Sequence, residues 1–161
     1  MIDQKQVESL LVCLRVLASV YQQLIPLEQE KNNCLAYADN QKLWEITKQE
    51  ADLVRQIADL EKERLTLTIT LAGSAVRHTE LLEWLDGSQK EAMAIVGFEL
   101  KNYIREYERL KIINEEVIEH LMNFVECELN SRVSAENYNA YSNDGNDNQP
   151  VKKNVLIDRK V

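Results

Sequence analysis

The chain has 161 residues, a net charge of −8, and 29% charged against 6% aromatic residues. An acidic chain lacks the basic face that phosphate contacts require, which argues against nucleic acid as a partner. With only 4 Gly and 2 Pro there are few places for turns, so we expect a few long helices rather than a thick globular core.

The cysteines and the N-terminal residues indicate the compartment. The chain has an odd number of cysteines, namely Cys13, Cys34 and Cys127. They are widely separated and form no C-x-x-C pair, so we expect neither a disulfide framework nor a zinc site. Residues 1–6 lack a basic region followed by an apolar one, and no uninterrupted apolar run approaches the ~20 residues of a membrane span. We therefore expect a soluble, cytoplasmic protein that does not insert into a membrane.

The first predicted element is a helix from about Asp3 to Tyr37. Its apolar residues recur three or four positions apart and so lie on one helical face: Val7, Leu10, Leu14, Leu17, Tyr21 and Leu24. Pro26 lies inside this segment and removes one backbone hydrogen bond. Two structures remain open, one helix kinked near Gln22–Ile25 and two helices broken at Pro26.

A second helix is predicted from the N-cap Asp39 to about Ala72, with Gly73 as its stop. Two charged residues interrupt its stripe, which consists of Leu43, Ile46, Glu50, Leu53, Ile57, Leu60, Arg64, Leu67 and Leu71. Residues 65–71 alternate with a period of two and are rich in β-branched side chains, which is typical of a strand. Because the chain offers no second strand to pair with, we predict a helix there too.

A short amphipathic helix and a very long helix complete the pattern. The short one begins at Thr79, contains Leu81, Leu82 and Leu85, and stops at Asp86-Gly87. Ser88-x-x-Glu91 has the form of a capping box, so the last helix is predicted to begin there and to reach Arg132. One polar residue interrupts its stripe of Met93, Val96, Leu100, Tyr103, Tyr107, Leu110, Asn114, Val117, Leu121 and Phe124.

These elements predict an all-α, coiled-coil-like fold, in which a third long helix packs along a long antiparallel helical hairpin. Residues 1–134 form the helical domain. Residues 135–161 are predicted to be a flexible, Asn-rich tail, because they have no periodic apolar face. Residues 150–161 hold four basic residues and one acidic residue, which gives +3 and leaves −11 for the rest of the chain.

The sequence contains no recognisable catalytic or metal-binding pattern. Glu116 and His120 are four positions apart, whereas di-iron sites of helical bundles need Glu and His three apart, and position 117 is Val. There is no Gly-rich phosphate loop, and no Ser or Cys has an evident His partner. We therefore expect no metal, no cofactor and no enzymatic activity.

Asn114, Glu50 and Arg64 interrupt otherwise apolar stripes. Such residues either set the register of packed helices or lie where the helices open to water. The alternative is that they contact a bound partner, and the sequence leaves both interpretations open.

The apolar face of the last helix widens from Val117 onwards, where a second stripe joins the first. A wide apolar face without cover from the same chain marks an interaction surface. The predicted interaction surface consists of Val117, Ile118, Leu121, Met122, Phe124, Val125 and Leu129. Two other arrangements remain open: the first helix covers this face, or two copies of the chain pair through it as a homodimer.

Two stretches of the chain resemble the FlgN family of flagellar type III export chaperones. The first stretch resembles the first helical hairpin of that family, and its matching residues are Leu27-Glu28-x-Glu30, Leu35, Asp39, Leu43, Ile46-Thr47-Lys48, Leu53, Ile57, Leu60-Glu61-x-x-Arg64 and Leu67. The second stretch resembles the last helix of that family, and its matching residues are Leu110-x-x-Ile113-Asn114, Ile118, Leu121 and Phe124. Family members carry a second Asn three residues after the first, where this chain has Val117. The resemblance covers about residues 10–130.

The resemblance implies a cytosolic chaperone that binds the C-terminal helical segments of the hook–filament junction proteins FlgK and FlgL. It would prevent their premature assembly and deliver them to the flagellar export gate. Related flagellar chaperones dock on the gate through an exposed aromatic residue, and the tail contains Tyr138 and Tyr141. Either tyrosine is a candidate for gate docking, the alternative being that neither has a role. The alternative function is a non-enzymatic coiled-coil adaptor or a self-associating structural protein.

Overall fold

A computed structural model describes residues 4–143, with side chains described for residues 4–135. The described chain folds into four helices, α1 (Gln4–Tyr37), α2 (Asn40–Ala72), α3 (His78–Trp84) and α4 (Gly87–Asn143). α1 packs against both α2 and α4. This confirms the predicted all-α fold, a long hairpin joined by a third long helix.

The predicted start and end of α2 are confirmed, and each has a local cause. The Asp39 side chain accepts a hydrogen bond from the backbone N–H of Lys42 at 3.1 Å, which caps the first turn. At the other end Gly73 adopts a φ of 75°, and its N–H donates to the Ile69 carbonyl at 2.8 Å. Because that φ is costly for residues with a Cβ, glycine is the residue that ends the helix here.

α1 is one continuous helix through Pro26, so the two-helix alternative is not adopted. The strand-like segment of α2 is also helical. Its threonine hydroxyls donate to carbonyls four residues back, for example from Thr68 to Arg64 at 2.8 Å and from Thr70 to Thr66 at 2.8 Å. These bonds satisfy the hydroxyls within the helix, so β-branched residues are accommodated without a partner strand.

The ends of α3 and α4 differ from the predictions. α3 begins at His78, one residue before Thr79. α4 begins at Gly87, so the predicted capping box was wrong, since Ser88 lies inside the first turn rather than before it. α4 also continues past Arg132 to Asn143, and its backbone includes the first residues of the predicted tail. The flexibility of residues 135–161 stays a prediction, and residues 144–161 lie outside the described residues.

The hydrophobic core is built around α1. Three of its leucines, Leu10, Leu17 and Leu24, are completely buried, and residues of α3 and α4 pack against the same helix. The predicted α2 stripe contributes partly buried residues such as Ile57, Leu60 and Leu67. α1 is the central helix because its apolar residues cover more than one face, including Leu11, Ala18 and Val20.

This apolar character gives α1 a second property. Among the described helices it is the one long and apolar enough to cross a membrane by length and composition. However, nearly half of its most apolar window is buried inside the bundle. The core helix of a soluble protein passes the same test, and burial against α2 and α4 accounts for the composition.

The described chain divides into two compact units after Glu119. The first contains α1, α2, α3 and the first part of α4, and the second begins at His120. Within the first unit, α3 meets α4 through a close contact between His78 and Gly97. A Cβ atom placed on Gly97 would lie 2.1 Å from His78 Nε2. Burial lowers the pKa of His78, so its neutral form is favoured in the folded protein.

We predict that Gly97→Ala destabilises the protein, although alanine favours a helix by about 1 kcal/mol over glycine. The added methyl overlaps the buried imidazole ring, and overpacking of this kind costs about 1–3 kcal/mol. Urea denaturation of the two single variants and of the double variant His78→Ala/Gly97→Ala measures both the gain in helix propensity and the cost of overpacking. In the His78→Ala background the methyl has room, so Gly97→Ala should become neutral or stabilising. An equally destabilising Gly97→Ala in both backgrounds would show that the ring is not what excludes the methyl.

Candidate functional site

The stripe of α4 is buried over its first half. Met93 is 0% exposed, and Val96, Leu100 and Tyr107 are also buried. The Tyr107 ring meets the ring of Tyr21 of α1 edge to face, with their centroids 5.9 Å apart. Up to Asn114, therefore, the stripe belongs to the bundle core.

Asn114 is the last buried residue of this stripe, with 2% of its surface exposed. Its side-chain amide donates to the Glu28 carboxylate at 2.6 Å and to the Glu28 backbone carbonyl at 2.8 Å. Its side-chain oxygen accepts a hydrogen bond from Asn32 Nδ2 at 2.9 Å. Asn114 thus connects α4 to two successive turns of α1.

The buried Glu28 is at the centre of a polar cluster that includes α2. Lys31 donates to Glu28 at 2.8 Å and also forms an ion pair with Glu50 of α2. The Tyr107 hydroxyl donates to the other oxygen of Glu50 at 3.4 Å. One lysine and two carboxylates therefore join α1 and α2, and hydrogen bonds from Asn114 and Tyr107 add α4.

The two carboxyl groups have opposite pKa shifts. Burial of Glu50, together with the neighbouring Glu28, raises the pKa of Glu50. Burial also acts to raise the pKa of Glu28, but hydrogen bonds from Glu50, Lys31 and Asn114 outweigh it and lower that pKa. Because Glu28 receives most of the hydrogen bonds, it remains ionised while Glu50 is the first of the pair to take up a proton.

The cluster explains two of the three polar residues that interrupt the stripes. Asn114 and Glu50 meet through Glu28 and Lys31, so they link helices of the bundle rather than sit exposed to a partner. Arg64, the third, is partly exposed and pairs with Glu61 on its own helix at 2.8 Å. Glu28 appeared in the sequence only among the residues of the family resemblance, and its burial was not predicted, although it lies four residues after Leu24 and continues the α1 stripe.

The predicted client-binding residues lie on α4 beyond this cluster. In the first unit Val117 is partly buried and Ile118 is exposed. In the second unit Met122 is 67% and Phe124 64% exposed, and the remaining predicted residues are exposed as well: Leu121, Val125 and Leu129. Most side chains of this face are thus exposed among the described residues, and a partner at the face stays a proposal.

Two acidic side chains lie on or beside the exposed face. On a helix, Glu126 lies at the edge of the stripe next to Met122, whereas Glu128, four positions after Phe124, lies on the stripe itself. Glu128 is 3.9 Å from Arg132, in an ion pair whose two side chains are largely exposed and which therefore contributes little to stability. Cys127 is exposed on the opposite, polar side of the helix.

Other exposed aromatic residues lie outside the predicted surface. Phe98 of α4 is 68% exposed, and Tyr37 and Trp44 are exposed near the turn between α1 and α2. Lys48 lies over the Trp44 ring, 5.7 Å from its centroid. The sequence reasoning did not single out these residues, because none of them continues a stripe.

Two further predictions concern docking on the export gate and metal binding. The backbone of Tyr138 and Tyr141 belongs to α4, but their side chains lie outside the described ones, so gate docking through them stays a prediction. Among the described residues, no group of three or more His, Cys, Asp or Glu is placed to hold a metal ion.

We predict that Asn114→Ala destabilises the protein by about 2–3 kcal/mol, because it removes hydrogen bonds from a buried carboxylate. Asn123→Ala is the matched control, since Asn123 is exposed on the same helix and should change stability by less than about 0.5 kcal/mol. Thermal or urea denaturation measures both. If both substitutions lower the free energy of unfolding by the same small amount, the hydrogen bonds from Asn114 are not needed to stabilise the buried Glu28 carboxylate.

Comparison with known proteins places the chain in a family. The family model described as FlgN protein matches residues 1–149, which is nearly the whole chain. No curated protein and no solved structure matches it. The match agrees with a helical hairpin joined by a long last helix and with the absence of a catalytic pattern in the sequence. The chain therefore belongs to the FlgN family of cytoplasmic, non-enzymatic flagellar export chaperones, whose clients are the hook-associated proteins FlgK and FlgL.

Proposed function

We propose that the chain holds its clients on the exposed apolar face of α4, formed by Val117, Ile118, Leu121, Met122, Phe124, Val125 and Leu129. The observation that carries this proposal is the change in burial along one stripe. Upstream of Asn114 the stripe is core, whereas Leu121 and Phe124 are largely exposed. An apolar face of this length without cover is what a partner helix can bury.

The client segment would be an amphipathic helix from the C-terminal region of FlgK or FlgL. Such a helix places apolar residues three and four positions apart into the face, with Phe124 and Leu121 as the anchors. Met122 suits this role, because its unbranched side chain adapts to partners of different shape. Covering the apolar residues of the client prevents it from assembling early, and no bond is broken or formed.

Two alternatives compete for the same residues. One alternative is cover by α1, which would bury side chains of this face that are exposed in the described chain. A homodimer through the face would bury the same side chains and would have to open for a client. A dimer that stays closed when a FlgK or FlgL fragment is added would favour the structural, self-associating alternative.

We predict that Phe124→Ala weakens binding of a purified C-terminal fragment of FlgK or FlgL at least ~30-fold, which corresponds to ~2 kcal/mol for a buried anchor. Its melting temperature should remain near that of the wild type, because this ring is exposed in the free chain. Phe98→Ala is the matched control: the residue type, the helix and the degree of exposure are the same. Calorimetric titration and thermal denaturation of both variants provide the measurements.

The outcome distinguishes a binding surface from a core. Removing a buried Phe from a core costs about 3–5 kcal/mol of stability. If Phe124→Ala unfolds the protein while Phe98→Ala does not, the face is core in solution and the proposed site is wrong. If both variants bind the FlgK or FlgL fragment as tightly as the wild type does, the client occupies another surface.

We also propose that Tyr138 or Tyr141 docks the chaperone on the export gate, since an aromatic anchor in a pocket is a common hot spot. Replacing both with Ala should reduce secretion and binding to the purified gate protein, while binding of the client fragment is retained. Asn137→Ala/Asn139→Ala changes neighbouring polar residues and is the control. Unchanged gate binding and secretion in the double tyrosine variant would rule out this role.

A further inference from the structure

α2 carries a second apolar stripe in addition to the one that it directs towards the core. Its first members lie one position after core-facing residues, for example Trp44 after Leu43 and Val54 after Leu53, and so point about 100° away from them around the helix. We call this second stripe the outer stripe, and it consists of Trp44, Ala51, Val54, Ala58, Leu65 and Ile69, three, four or seven positions apart. All six side chains are exposed. Single apolar residues are normal on a surface, whereas a stripe along most of a helix is typical of an interaction surface.

Trp44 is the most prominent member of the outer stripe. It is 68% exposed, compared with 44% for Val54 and 43% for Leu65. The Lys48 ammonium lies 5.7 Å from the centroid of its ring and leaves most of the ring accessible. Tryptophan is among the residues that contribute most to binding energy at protein interfaces, so Trp44 is the natural anchor of this surface.

Basic residues line one side of the outer stripe. Lys48, Arg55 and Lys62 are seven positions apart, so they recur on the same side of α2, on the edge of the stripe that faces away from the core. Arg55 pairs with Asp52 at 3.1 Å and Lys62 with Asp59 at 3.5 Å, but all four side chains are largely exposed. Exposed pairs of this kind contribute little to stability, so carboxylates of a partner can replace Asp52 and Asp59.

The basic row argues against a second copy of the chain as the occupant. In an antiparallel pair of α2 helices joined through the outer stripe, the basic rows of the two copies would face each other. Each copy also carries a net charge of −8, which adds repulsion between whole molecules. Charge complementarity instead favours a different protein, one that places acidic residues beside its apolar stripe.

We propose that the outer stripe of α2 binds an amphipathic helix of a partner protein other than the client, in which acidic residues recur seven positions apart beside an apolar stripe. The acidic residues lie against Lys48, Arg55 and Lys62, and the apolar stripe of the partner covers the Trp44 ring. The small side chains of Ala51 and Ala58 let the two helices approach closely. The inference does not rest on the proposed client site, because every residue that carries it lies on α2.

Two synthetic helical peptides of four heptads test the proposal with the full-length chain. Both carry leucine along the seam, but one has glutamate at every flanking position and the other has lysine, so copies of each peptide repel one another. Fluorescence anisotropy of the labelled peptides should show that the glutamate peptide binds about tenfold more tightly. The net charge of −8 would by itself favour the lysine peptide, so this preference reports on the local basic row.

Trp44→Ala should weaken binding of the glutamate peptide about tenfold, because it removes the anchor. Trp84→Ala is the matched control, since Trp84 is an exposed tryptophan on α3 and its loss should leave peptide binding unchanged. Circular dichroism and thermal denaturation verify that both variants remain folded.

Charge reversal provides the second arm of the experiment. Lys48→Glu/Lys62→Glu should remove the preference for the glutamate peptide, because the row beside the stripe becomes acidic. Lys90→Glu/Lys101→Glu makes the same change of net charge at exposed positions of α4 and should retain the preference.

Four results would overturn the proposal. Equal or tighter binding of the lysine peptide means that the basic row does not select the partner. Weakening by Phe124→Ala but not by Trp44→Ala means that the peptide occupies the α4 face instead. A dimer of the free chain that Trp44→Ala dissociates means that a second copy occupies the outer stripe. Loss of the FlgK or FlgL fragment in Trp44→Ala means that the outer stripe is part of the client site.

The fragment and the peptide together separate the failure of this inference from that of the proposed function. If fragment binding depends on Phe124 and the glutamate peptide does not bind, the client site stands and this inference fails. If peptide binding depends on Trp44 and fragment binding does not depend on Phe124, this inference stands and the proposed client site fails.

Discussion

The bundle depends on a carboxylate that has no access to water. Glu28 is 0% exposed, and a buried carboxylate without donors would cost several kcal/mol. Its donors come from Lys31 on its own helix and from Asn114 on α4, while Glu50 of α2 shares the same lysine. Apolar stripes can slide past one another by a turn at moderate cost, but these hydrogen bonds exist in only one register. The cluster thereby determines how α2 and α4 are positioned along α1.

The cluster lies where the buried part of the α4 stripe ends. Asn114 reaches two groups of Glu28, and beyond it the stripe no longer faces a buried neighbour among the described residues. Met93 and Met122 lie on one helix and have the same side chain, yet one is in the core and the other is exposed. Met93 belongs to the first unit and Met122 to the second. Asn114 is the last buried residue of the stripe among the described side chains.

Helix periodicity and local chemistry account for most of the fold that could be predicted from the sequence. Asp39 and Gly73 were identified correctly, because an N-cap and a left-handed C-cap depend on residues nearby in the sequence. Ser88 was assigned wrongly for the complementary reason, since a motif with the form of a capping box does not by itself decide where a helix begins. The burial of Glu28 and the contact of His78 with Gly97 could not be predicted, because each depends on two segments meeting in space. For the same reason periodicity could not decide whether Phe124 is core or exposed.

Exposure alone does not make a binding surface, and α4 illustrates why. Phe98 and Phe124 are exposed to a similar degree. Around Phe124, however, exposed apolar residues continue along the helix from Leu121 to Leu129. A partner helix can bury several of these residues at once, which offsets the entropy lost on association, whereas Phe98 shares its face with Ile95, a much shorter apolar run. Copies of a chain with a net charge of −8 repel one another, so charge opposes self-association through this face. The continuity of apolar residues along one face therefore decides how much surface a partner helix can bury there.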